Sequence, residues 1–225
     1  MASTLTNEDR EALKRNAEDR QIRCLYHYTR ISNLPTILEN GLCSLTDLKH
    51  LNISYMANDM DRLDNQPRSI SVSIGFPNYL TFYTKRRESG ADFAILALRP
   101  DLLWELDAAF NRSNAASSEM AATPIGERKT LRAFGSMFGD LTGIERSKLK
   151  LRPYYTTDPQ AELLVFERID PSYIMFVNVE NEEVKAEVEK MLAGKPYFRT
   201  VSVYPDLYRP RSDWRFWAER RSKGD

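Results

Sequence analysis

The order of strand-like and helical segments is the feature of this sequence that most restricts its fold. Segments that alternate apolar and polar side chains outnumber those with helical spacing, and the helical segments lie near the beginning and late in the chain. The sequence lacks the regular strand–helix–strand alternation and the glycine-rich phosphate loop of nucleotide-binding α/β folds. We therefore expect an α+β fold built on a mainly antiparallel sheet.

The predicted strands are short runs rich in β-branched and aromatic residues. They are residues 22–28, 69–74, 79–83, 93–98, 161–169, 173–179 and 198–203. The predicted helices combine N-cap residues, Asn7 for the first and Ser32 with Asn33 for the second, with glycine stops at Gly41 and Gly194. These helices are residues 6–20, 34–40 and 180–192.

A chain of 225 residues, of which 42% are apolar, predicts one domain with a packed core over residues 1–225. Residues 1–23 supply a leading helix, and residues 205–225 form a basic tail that covers the body or frays. Two polar stretches predict irregular structure. Residues 44–64 indicate a loop with helical fragments, and residues 106–130 indicate a mobile surface excursion.

Charge and hydropathy exclude several classes of protein. No apolar run approaches the roughly 20 residues that span a bilayer, and the charged N-terminal stretch lacks the apolar centre of a secretion signal, so we expect a cytoplasmic protein without membrane contact. Lys plus Arg and Asp plus Glu both total 32, which removes any global attraction to nucleic acid. Any nucleic-acid site must therefore be local.

Cysteine and histidine are too scarce for a metal site. Cys24 and Cys43 lie in segments that predict reduced, unreactive thiols, and His27 and His50 are the only histidines. A structural zinc site would need all four residues at once, so we expect no metal.

The strongest sequence signatures of common enzymes are missing, including the P-loop, the dinucleotide-binding, nucleophile-elbow and zinc-protease motifs. Three local features remain. The tripeptide His27-Tyr28-Thr29 closes the first predicted strand. The segment from Tyr79 to Arg87 is aromatic and ends in three cations, and Gln160-Ala161-Glu162 opens an apolar strand.

Glu162 is the most informative residue of the three features because four apolar residues follow it directly. One interpretation is a carboxylate at the mouth of a strand, exposed or paired with Arg152. The other is a carboxylate directed into a cleft, where it stabilises developing positive charge on a sugar or acts as a base.

These features together resemble a known family. Tyr26-His27-Tyr28-Thr29, followed by Asn33-Leu34-Pro35-x-Ile37-Leu38-x-x-Gly41-Leu42, an aromatic segment and Gln160-Ala161-Glu162, is similar to the DarT family of bacterial DNA ADP-ribosyltransferase toxins. The resemblance runs from about residue 25 to residue 204, and its N-terminal motif is the more specific part.

The resemblance implies an NAD-consuming enzyme with a split β-sheet that holds NAD between its halves. Such an enzyme transfers one ADP-ribose to a base in single-stranded DNA, as the toxin of a toxin–antitoxin or phage-defence system with a macrodomain antitoxin. In this role Glu162 stabilises the oxocarbenium-like sugar and also deprotonates the attacking base nitrogen.

The resemblance also implies which residues bind NAD. His27 contacts the ribose within the motif His27-Tyr28-Thr29, although an isolated histidine is more often a cap or core residue. Tyr79 and Phe82 stack on the nicotinamide, with ordinary sheet core as the alternative for Phe82. Since no glycine-rich loop can cradle the pyrophosphate, we expect catalytic cations from the polar loop to hold it, namely Arg62, Arg68 or both.

Two basic and aromatic segments flank the predicted cleft and are candidates for DNA contact, although charge runs are usually solvated surfaces. They comprise Lys85, Arg86, Arg87, Arg146, Lys148, Lys150, Arg152 and Tyr154, of which the four cations from Arg146 to Arg152 are expected on one side of an extended segment.

The sequence leaves several functional alternatives open. The segment Phe76-Pro77-Asn78-Tyr79-Leu80-Thr81-Phe82-Tyr83 departs from the pattern of thymine-modifying members, which makes guanine a candidate target base. Modification of RNA or protein and a non-catalytic nucleic-acid-binding module are the alternatives to DNA modification. We expect a monomer.

Overall fold

The computed structural model describes residues 5–51, 66–196 and 199–222. Within these ranges the strands are β1 Leu25–Arg30, β2 Ile70–Ile74, β3 Phe93–Leu98, β4 Ala108–Asn111, β5 Glu162–Val165, β6 Ile174–Val179 and β7 Thr200–Val203. The α-helices of the same ranges are α1 Asn7–Asp19, α2 Leu34–Asn40, α3 Leu45–His50, α4 Tyr79–Ser89, α5 Leu102–Glu105, α6 Ser118–Ala122, α7 Ile125–Arg128, α8 Leu131–Ser136, α9 Glu182–Leu192 and α10 Trp214–Ser222.

The strands form one sheet in the order β4-β5-β2-β1-β3-β6-β7, and every neighbouring pair is antiparallel except β6 with β7. At the centre β1 pairs with β2 only through Leu25 with Ile74 and Tyr26 with Ser73, whereas six residue pairs join β1 to β3. The sheet therefore splits beyond Tyr26 into the halves β4-β5-β2 and β1-β3-β6-β7. This confirms the expected α+β fold with a split, mainly antiparallel sheet.

One face of the sheet packs on the main hydrophobic core. The cross-strand partners Val72, Leu163 and Phe110 point to this face and are almost completely buried. Helix α1 covers part of the core with Leu13 and Ala17 and contacts α5 and α8. The leading helix is thus an integral part of the fold, and its N-cap is Thr6 rather than the predicted Asn7.

The opposite face carries a second cluster that is mainly aromatic. Phe82 from α4 contacts Tyr28, Phe93 and Tyr208, with ring centroids 4.9, 5.7 and 5.5 Å away. This face is the one on which Tyr26 and its cross-strand partners lie, so the cluster forms one wall beside the split.

The prediction of a strand at residues 79–83 is wrong, because these residues begin helix α4. The Asn78 side chain caps the helix by accepting a hydrogen bond from the Thr81 backbone N–H. Tyr79 and Phe82 are buried while Tyr83 is 63% exposed. Burial at a spacing of three residues is helical, and five residues were too few to distinguish it from alternation.

The prediction of a mobile excursion at residues 106–130 is also wrong. The segment contains the buried edge strand β4, followed by α6 and α7. Alanine has low strand propensity, but the small side chains of Ala109 and Ala115 pack with Leu164 of β5 in a third apolar cluster. Tertiary packing therefore overrides local propensity here.

The prediction of an extended segment with four aligned cations is wrong as well. Residues Arg146–Leu149 form a 3-10 helix, and Lys150 adopts a left-handed conformation with φ of 50°. The C-terminal tail is ordered by a 3-10 turn at Pro205–Tyr208 and by α10. In the part of the chain that the structure describes, no helix is long and apolar enough to cross a bilayer.

Candidate active site

Glu162 opens strand β5, which lies between β2 and β4 and is separated from the split by β2. Its register partners are Ser73 in β2 and Asn111 in β4. Its side chain is partly buried, and Oε1 accepts a hydrogen bond of 2.7 Å from the Ala115 backbone N–H. The carboxylate is therefore held in place and is not simply solvated.

A row of polar residues crosses the sheet at the level of Glu162. Since cross-strand partners share a face, Tyr26, Ser73, Glu162 and Asn111 point to the same side of the sheet. The Ser73 hydroxyl accepts a hydrogen bond from the Asn78 backbone N–H at 3.1 Å, which ties this row to the beginning of α4. Burial raises the pKa of the Tyr26 hydroxyl.

His27 lies where the two halves of the sheet separate. Its Nδ1 is 2.8 Å from the Ser71 carbonyl oxygen of β2, so Nδ1 carries the proton and donates across the split. In the neutral ring Nε2 is then an acceptor, and a sugar hydroxyl would donate to it. Neighbouring strands lie about 4.8 Å apart, so Tyr26, the residue before His27, is about 10 Å from Glu162 across β2.

The two residues after His27 are already engaged within the protein. The Tyr28 hydroxyl is 3.3 Å from Thr81 Oγ1 of α4. Thr29 is 2% exposed, and its Oγ1 accepts a hydrogen bond from Asn33 Nδ2 at 3.1 Å. Residues Tyr28 and Thr29 of the motif thus connect β1 to α4 and to the 3-10 turn Ile31–Asn33, which directly follows β1.

Tyr79 and Phe82 occupy different environments on α4. Phe82 lies in the closed aromatic cluster, which is the core placement left open by the sequence. The buried Tyr79 hydroxyl has no hydrogen-bond partner among the residues that the structure describes. Burial, with the nearby Asp213 carboxylate, raises the pKa of Tyr79 to about 12. A buried hydroxyl without a partner is a group that a bound ligand can satisfy.

The segment before Glu162 is fixed by buried charged groups. Arg211 donates to the Thr156 and Thr157 carbonyl oxygens at 2.9 and 3.1 Å and forms a buried ion pair with Asp213. Asp158 accepts a hydrogen bond from the Gln160 backbone N–H at 2.7 Å. Burial raises the pKa of Asp158, although hydrogen bonds from Gln160 and Ser113 oppose the shift.

A second buried network supports Glu162 from the side of β4. Asn111 is fully buried, and its Nδ2 donates to the Glu162 carbonyl oxygen at 3.0 Å. Arg128 from α7, also buried, donates to Asn111 Oδ1 at 2.8 Å. These residues lie in the segment 106–130, which was predicted to be mobile because it is rich in small and polar residues. That composition gave no sign that they support Glu162.

The structure does not test the two cations that are predicted to bind the pyrophosphate. Arg62 lies outside the described residues. Arg68 is exposed in the turn before β2, and no contact with another described residue directs it to the carboxylate. Both remain predictions.

The predicted DNA-binding cations on α4 have different contacts. Arg86 forms an ion pair with Glu180 and lies 5.0 Å above the Tyr208 ring, so it packs against the protein. Lys85 lines a cavity of about 150 Å³ together with Arg30. Arg87 is exposed and lies above the Tyr83 ring at 6.0 Å.

The cations near residue 150 also differ in orientation, because one points into the protein and three lie on its surface. Arg146 points inward and donates to Thr157 Oγ1 and to the Arg152 carbonyl oxygen. Lys148 pairs with Glu145 at 2.8 Å on the surface, while Lys150 and Arg152 are exposed. Only part of the predicted set is therefore available to a ligand.

Tyr154 lies against the turn that connects β2 to α4. Gly75 in this turn has a φ of 75°, and a Cβ there would lie 2.2 Å from the Tyr154 carbonyl oxygen, so the position requires glycine. Tyr155 stacks edge-on against both Tyr154 and Phe76, with centroids 4.8 and 5.6 Å away. These aromatic rings therefore pack beside the turn that leads into α4.

Several of these supporting residues carry no signal in the sequence. Ala115 contributes only a backbone N–H, and Asp158, Arg211 and Asp213 come from segments without a motif. In the described ranges, no group of three or more His, Cys, Asp or Glu side chains is placed to hold a metal ion.

Comparison with solved structures defines the fold class. Thermus sp. 2.9 DarT in complex with ADP-ribosylated ssDNA aligns with a TM-score of 0.59 at 15% identity, over 84% of this chain and 97% of that chain. Thermosipho africanus DarTG in complex with ADP-ribose aligns with a TM-score of 0.54 at 20% identity, over 83% and 51%. The split sheet of this chain therefore has the fold of DarT ADP-ribosyltransferases.

The family assignment comes from the sequence. A family model described as DarT, ssDNA thymidine ADP-ribosyltransferase, matches residues 26–209. This match shows that the chain belongs to the DarT family of ADP-ribosyltransferases. A DNA ADP-ribosyl transferase–DNA ADP-ribosyl glycohydrolase fusion protein of Thermosipho africanus is 25% identical over 201 residues, which cover 83% of this chain. The chain spans about half the length of that relative, 49%.

Proposed function

We propose that this chain transfers one ADP-ribose from NAD to a base in single-stranded DNA. The observation that carries the proposal is the placement of Glu162, a partly buried carboxylate that is held by the Ala115 N–H one strand away from the split in the sheet. Glu162 also lies within the residues that match the family model. A carboxylate in such a cleft suits a reaction that develops positive charge on a sugar.

The chemistry assigns two roles to Glu162. NAD supplies the ADP-ribosyl group when its ribose–nicotinamide bond breaks, and the ribose carbon becomes oxocarbenium-like. The Glu162 carboxylate stabilises this charge more in the transition state than in the ground state. It also accepts the proton that the attacking base nitrogen loses, since such nitrogens are poor nucleophiles while protonated.

Two of the residues proposed to bind NAD are located in the structure at the split and at the start of α4, namely His27 and Tyr79. His27 would accept a hydrogen bond from a ribose hydroxyl through Nε2, because its Nδ1 is engaged with Ser71. The unpartnered Tyr79 hydroxyl, among described residues, would bond a polar group of NAD. Tyr28, Thr29, Phe82, Arg62 and Arg68 complete the proposed set, with the two arginines assigned to the pyrophosphate.

Two target bases, thymidine and guanine, are considered. The description of the family names thymidine, and DarT of Thermus sp. 2.9 is seen with ADP-ribosylated ssDNA. Guanine is a candidate because residues 76–83 depart from the sequence pattern of thymine-modifying members. We therefore take thymidine as the expected base and guanine as the alternative that the assay must separate.

The DNA strand is proposed to contact the exposed cations near the site. Arg87, Lys148, Lys150 and Arg152 are exposed and can neutralise phosphates, whereas Arg86 and Arg146 are engaged within the protein. Lys85 and Tyr154 are the remaining candidates from the sequence.

A toxin role and a macrodomain antitoxin form the wider proposal. The fusion relative from Thermosipho africanus joins a DNA ADP-ribosyl transferase to a DNA ADP-ribosyl glycohydrolase. A separate glycohydrolase partner that removes the modification from DNA would do the same for this chain. Co-expression with such a partner should restore growth to cells in which this chain is toxic.

The test is nucleoside mass spectrometry of oligonucleotides treated with the protein and NAD. Single-stranded DNA with all four bases should yield one ADP-ribosylated nucleoside, and its mass identifies thymidine or deoxyguanosine. Parallel reactions with RNA of the same sequence and with lysate protein test the alternative acceptors. Release of nicotinamide without any adduct, or an adduct only on RNA or protein, would contradict the proposal.

A further inference from the structure

The C-terminal helix α10 lies outside the residues that the family model matches, which end at residue 209. It is nevertheless firmly attached to the body. Arg211 and Asp213, which precede the helix, form an ion pair of 2.7 Å in which each side chain is 2% exposed. Trp217 donates from Nε1 to Asp213 at 2.6 Å. The helix is therefore anchored and has a defined orientation.

The anchor places α10 beside the proposed active site. Arg211 is bonded to Thr156 and Thr157, a few residues before Glu162. On another side, Arg220 donates to the Thr142 carbonyl oxygen. The start of the helix thus lies close to the segment that leads into the strand of Glu162.

The exposed residues of α10 are aromatic and basic, and they lie on more than one side of the helix because Trp214 and Phe216 are two residues apart. Trp214 is 43% exposed and Phe216 is 36% exposed, although Trp217 beside them is buried. The Arg215 guanidinium lies 5.6 Å from the centre of the Trp214 ring, and Arg221 is exposed. Single exposed aromatic side chains are common, so it is their combination with neighbouring arginines on one short helix that indicates a contact surface.

Charge complementarity identifies the occupant of this surface. Helix α10 carries three arginines and one acidic residue, Glu219, so its exposed side is positive in a chain whose net charge is zero. Exposed aromatic rings beside arginines are the combination that proteins use to bind single-stranded nucleic acid, because bases stack on the rings and phosphates pair with the guanidinium groups.

We propose that Trp214, Phe216, Arg215 and Arg221 form a binding surface for single-stranded DNA that contacts nucleotides flanking the modified base. This inference rests on the proposed function, because the acceptor strand is the ligand that must pass the site. The surface increases the affinity for single-stranded DNA and makes this affinity depend on the length of the strand, but it takes no part in the reaction.

The test measures binding of a fluorescent oligonucleotide by the full chain. The double variant Trp214→Ala/Phe216→Ala should bind a long single strand about tenfold or more weakly, given the usual loss per stacked base. A short oligonucleotide limited to the modified base and its nearest neighbours should lose much less affinity. Phe176→Ala is the matched control, because Phe176 is also 43% exposed but lies on β6.

A second variant tests the electrostatic part. Arg215→Gln/Arg221→Gln should reduce the salt dependence of binding, and the slope should change by about 0.7 for each phosphate that is no longer neutralised. Thermal unfolding confirms that each variant is folded. These substitutions leave the buried anchor of Arg211, Asp213 and Trp217 unchanged.

The outcomes separate this inference from the proposed function. If the wild-type chain modifies no DNA, the proposed function fails. If the wild-type chain modifies DNA and both variants bind the long strand as tightly as the wild type, the α10 surface is not a DNA site. The inference also fails if the aromatic variant changes only the oligomeric state, since the surface would then join two copies of the chain.

Discussion

On the side of the sheet that carries Glu162, the two halves are bordered by different kinds of buried side chain. The half β4-β5-β2, which carries Glu162, is flanked by buried polar and charged residues, including Asn111, Arg128 and the ion pair of Lys129 with Asp107. The half β1-β3-β6-β7 packs its corresponding face against the aromatic cluster around Phe82. One half therefore surrounds the proposed reaction with directional bonds, and the other with apolar contacts.

This contrast indicates which substitutions should affect catalysis and which should affect stability. Hydrogen bonds and ion pairs hold particular atoms in particular places, and they are costly to leave incomplete when buried. Apolar packing also stabilises the fold, but it is not directional, so it does not hold an individual atom at one position. We expect changes in the polar half to lower turnover and changes in the aromatic half to lower stability.

The largest expected effect follows from replacing the carboxylate itself. Glu162→Gln keeps the size of the side chain and an acceptor for the Ala115 N–H. Transfer to DNA should fall about 10²- to 10⁴-fold, the range usual for a positioned acid–base group. The rate is measured as adduct per unit time at saturating NAD.

Thermal unfolding provides the control for that variant, which should melt close to the wild type. Glu145→Gln is a matched substitution, because Glu145 is an exposed carboxylate paired with Lys148. It should retain wild-type transfer. Equal activity in Glu162→Gln and Glu145→Gln would remove Glu162 from the mechanism.

The next largest effect is expected on stability, from breaking the buried ion pair of Arg211 with Asp213 that fixes the segment before β5. Arg211→Met leaves the Asp213 carboxylate buried without its ion-pair partner. The free energy of unfolding should fall by about 3–5 kcal/mol, as measured by denaturant titration.

An exposed ion pair serves as the control for the anchor. Arg209 and Asp206 are 3.3 Å apart, with side chains 72% and 71% exposed, so Arg209→Met should change stability by about 1 kcal/mol or less. The double variant Arg211→Met/Asp213→Leu should regain part of the missing stability. Similar decreases in Arg211→Met and Arg209→Met would show that the buried pair does not hold the segment.

A pair of substitutions compares the two halves directly. Phe93→Ala in the aromatic cluster should lower the free energy of unfolding by about 3–5 kcal/mol through the cavity it leaves. Asn111→Ala should lower it by about 1–3 kcal/mol by removing buried hydrogen bonds. In addition, Asn111→Ala should lower kcat with little change in KM, because Asn111 positions Glu162.

Both rates are measured at a temperature at which both variants are folded. Phe93→Ala should then show nearly wild-type kcat. The distinction between the two halves fails if Phe93→Ala loses as much kcat as Asn111→Ala.

The smallest expected effect is a pH dependence with a defined sign. Burial raises the pKa of Asp158 above its unfolded value of 3.8. The folded state then binds more protons than the unfolded state above pH 3.8, so this group lowers stability as pH rises through its folded pKa. Asp158→Asn should therefore melt higher than the wild type at neutral pH, with the difference shrinking in acid.

Asp170 should show the opposite sign. Hydrogen bonds from Ser172 lower the pKa of Asp170, so its carboxylate contributes stability at neutral pH that is lost in acid. Asp170→Asn should melt lower than the wild type at neutral pH, and the two should converge in acid. Parallel pH profiles for the two variants would contradict the assigned environments.

The sequence predicted the strands that have long apolar runs and the helices that have clear caps. Strand β3 Phe93–Leu98 and helix α2 Leu34–Asn40 are confirmed with the predicted bounds. The errors at residues 79–83 and 106–130 have one physical cause. In short segments with small or mixed side chains, contacts from distant parts of the chain decide the conformation, and local propensity does not.

The α+β class and the family could be predicted from the sequence, and Glu162 could be selected as the candidate catalytic residue, because these inferences depend on local pattern and residue type. The surroundings of Glu162 could not. The Ala115 N–H, Asn111 and the Arg211–Asp213 pair come from segments far apart in the chain, and strand register and burial bring them together. Their positions depend on long-range packing, which no local pattern encodes.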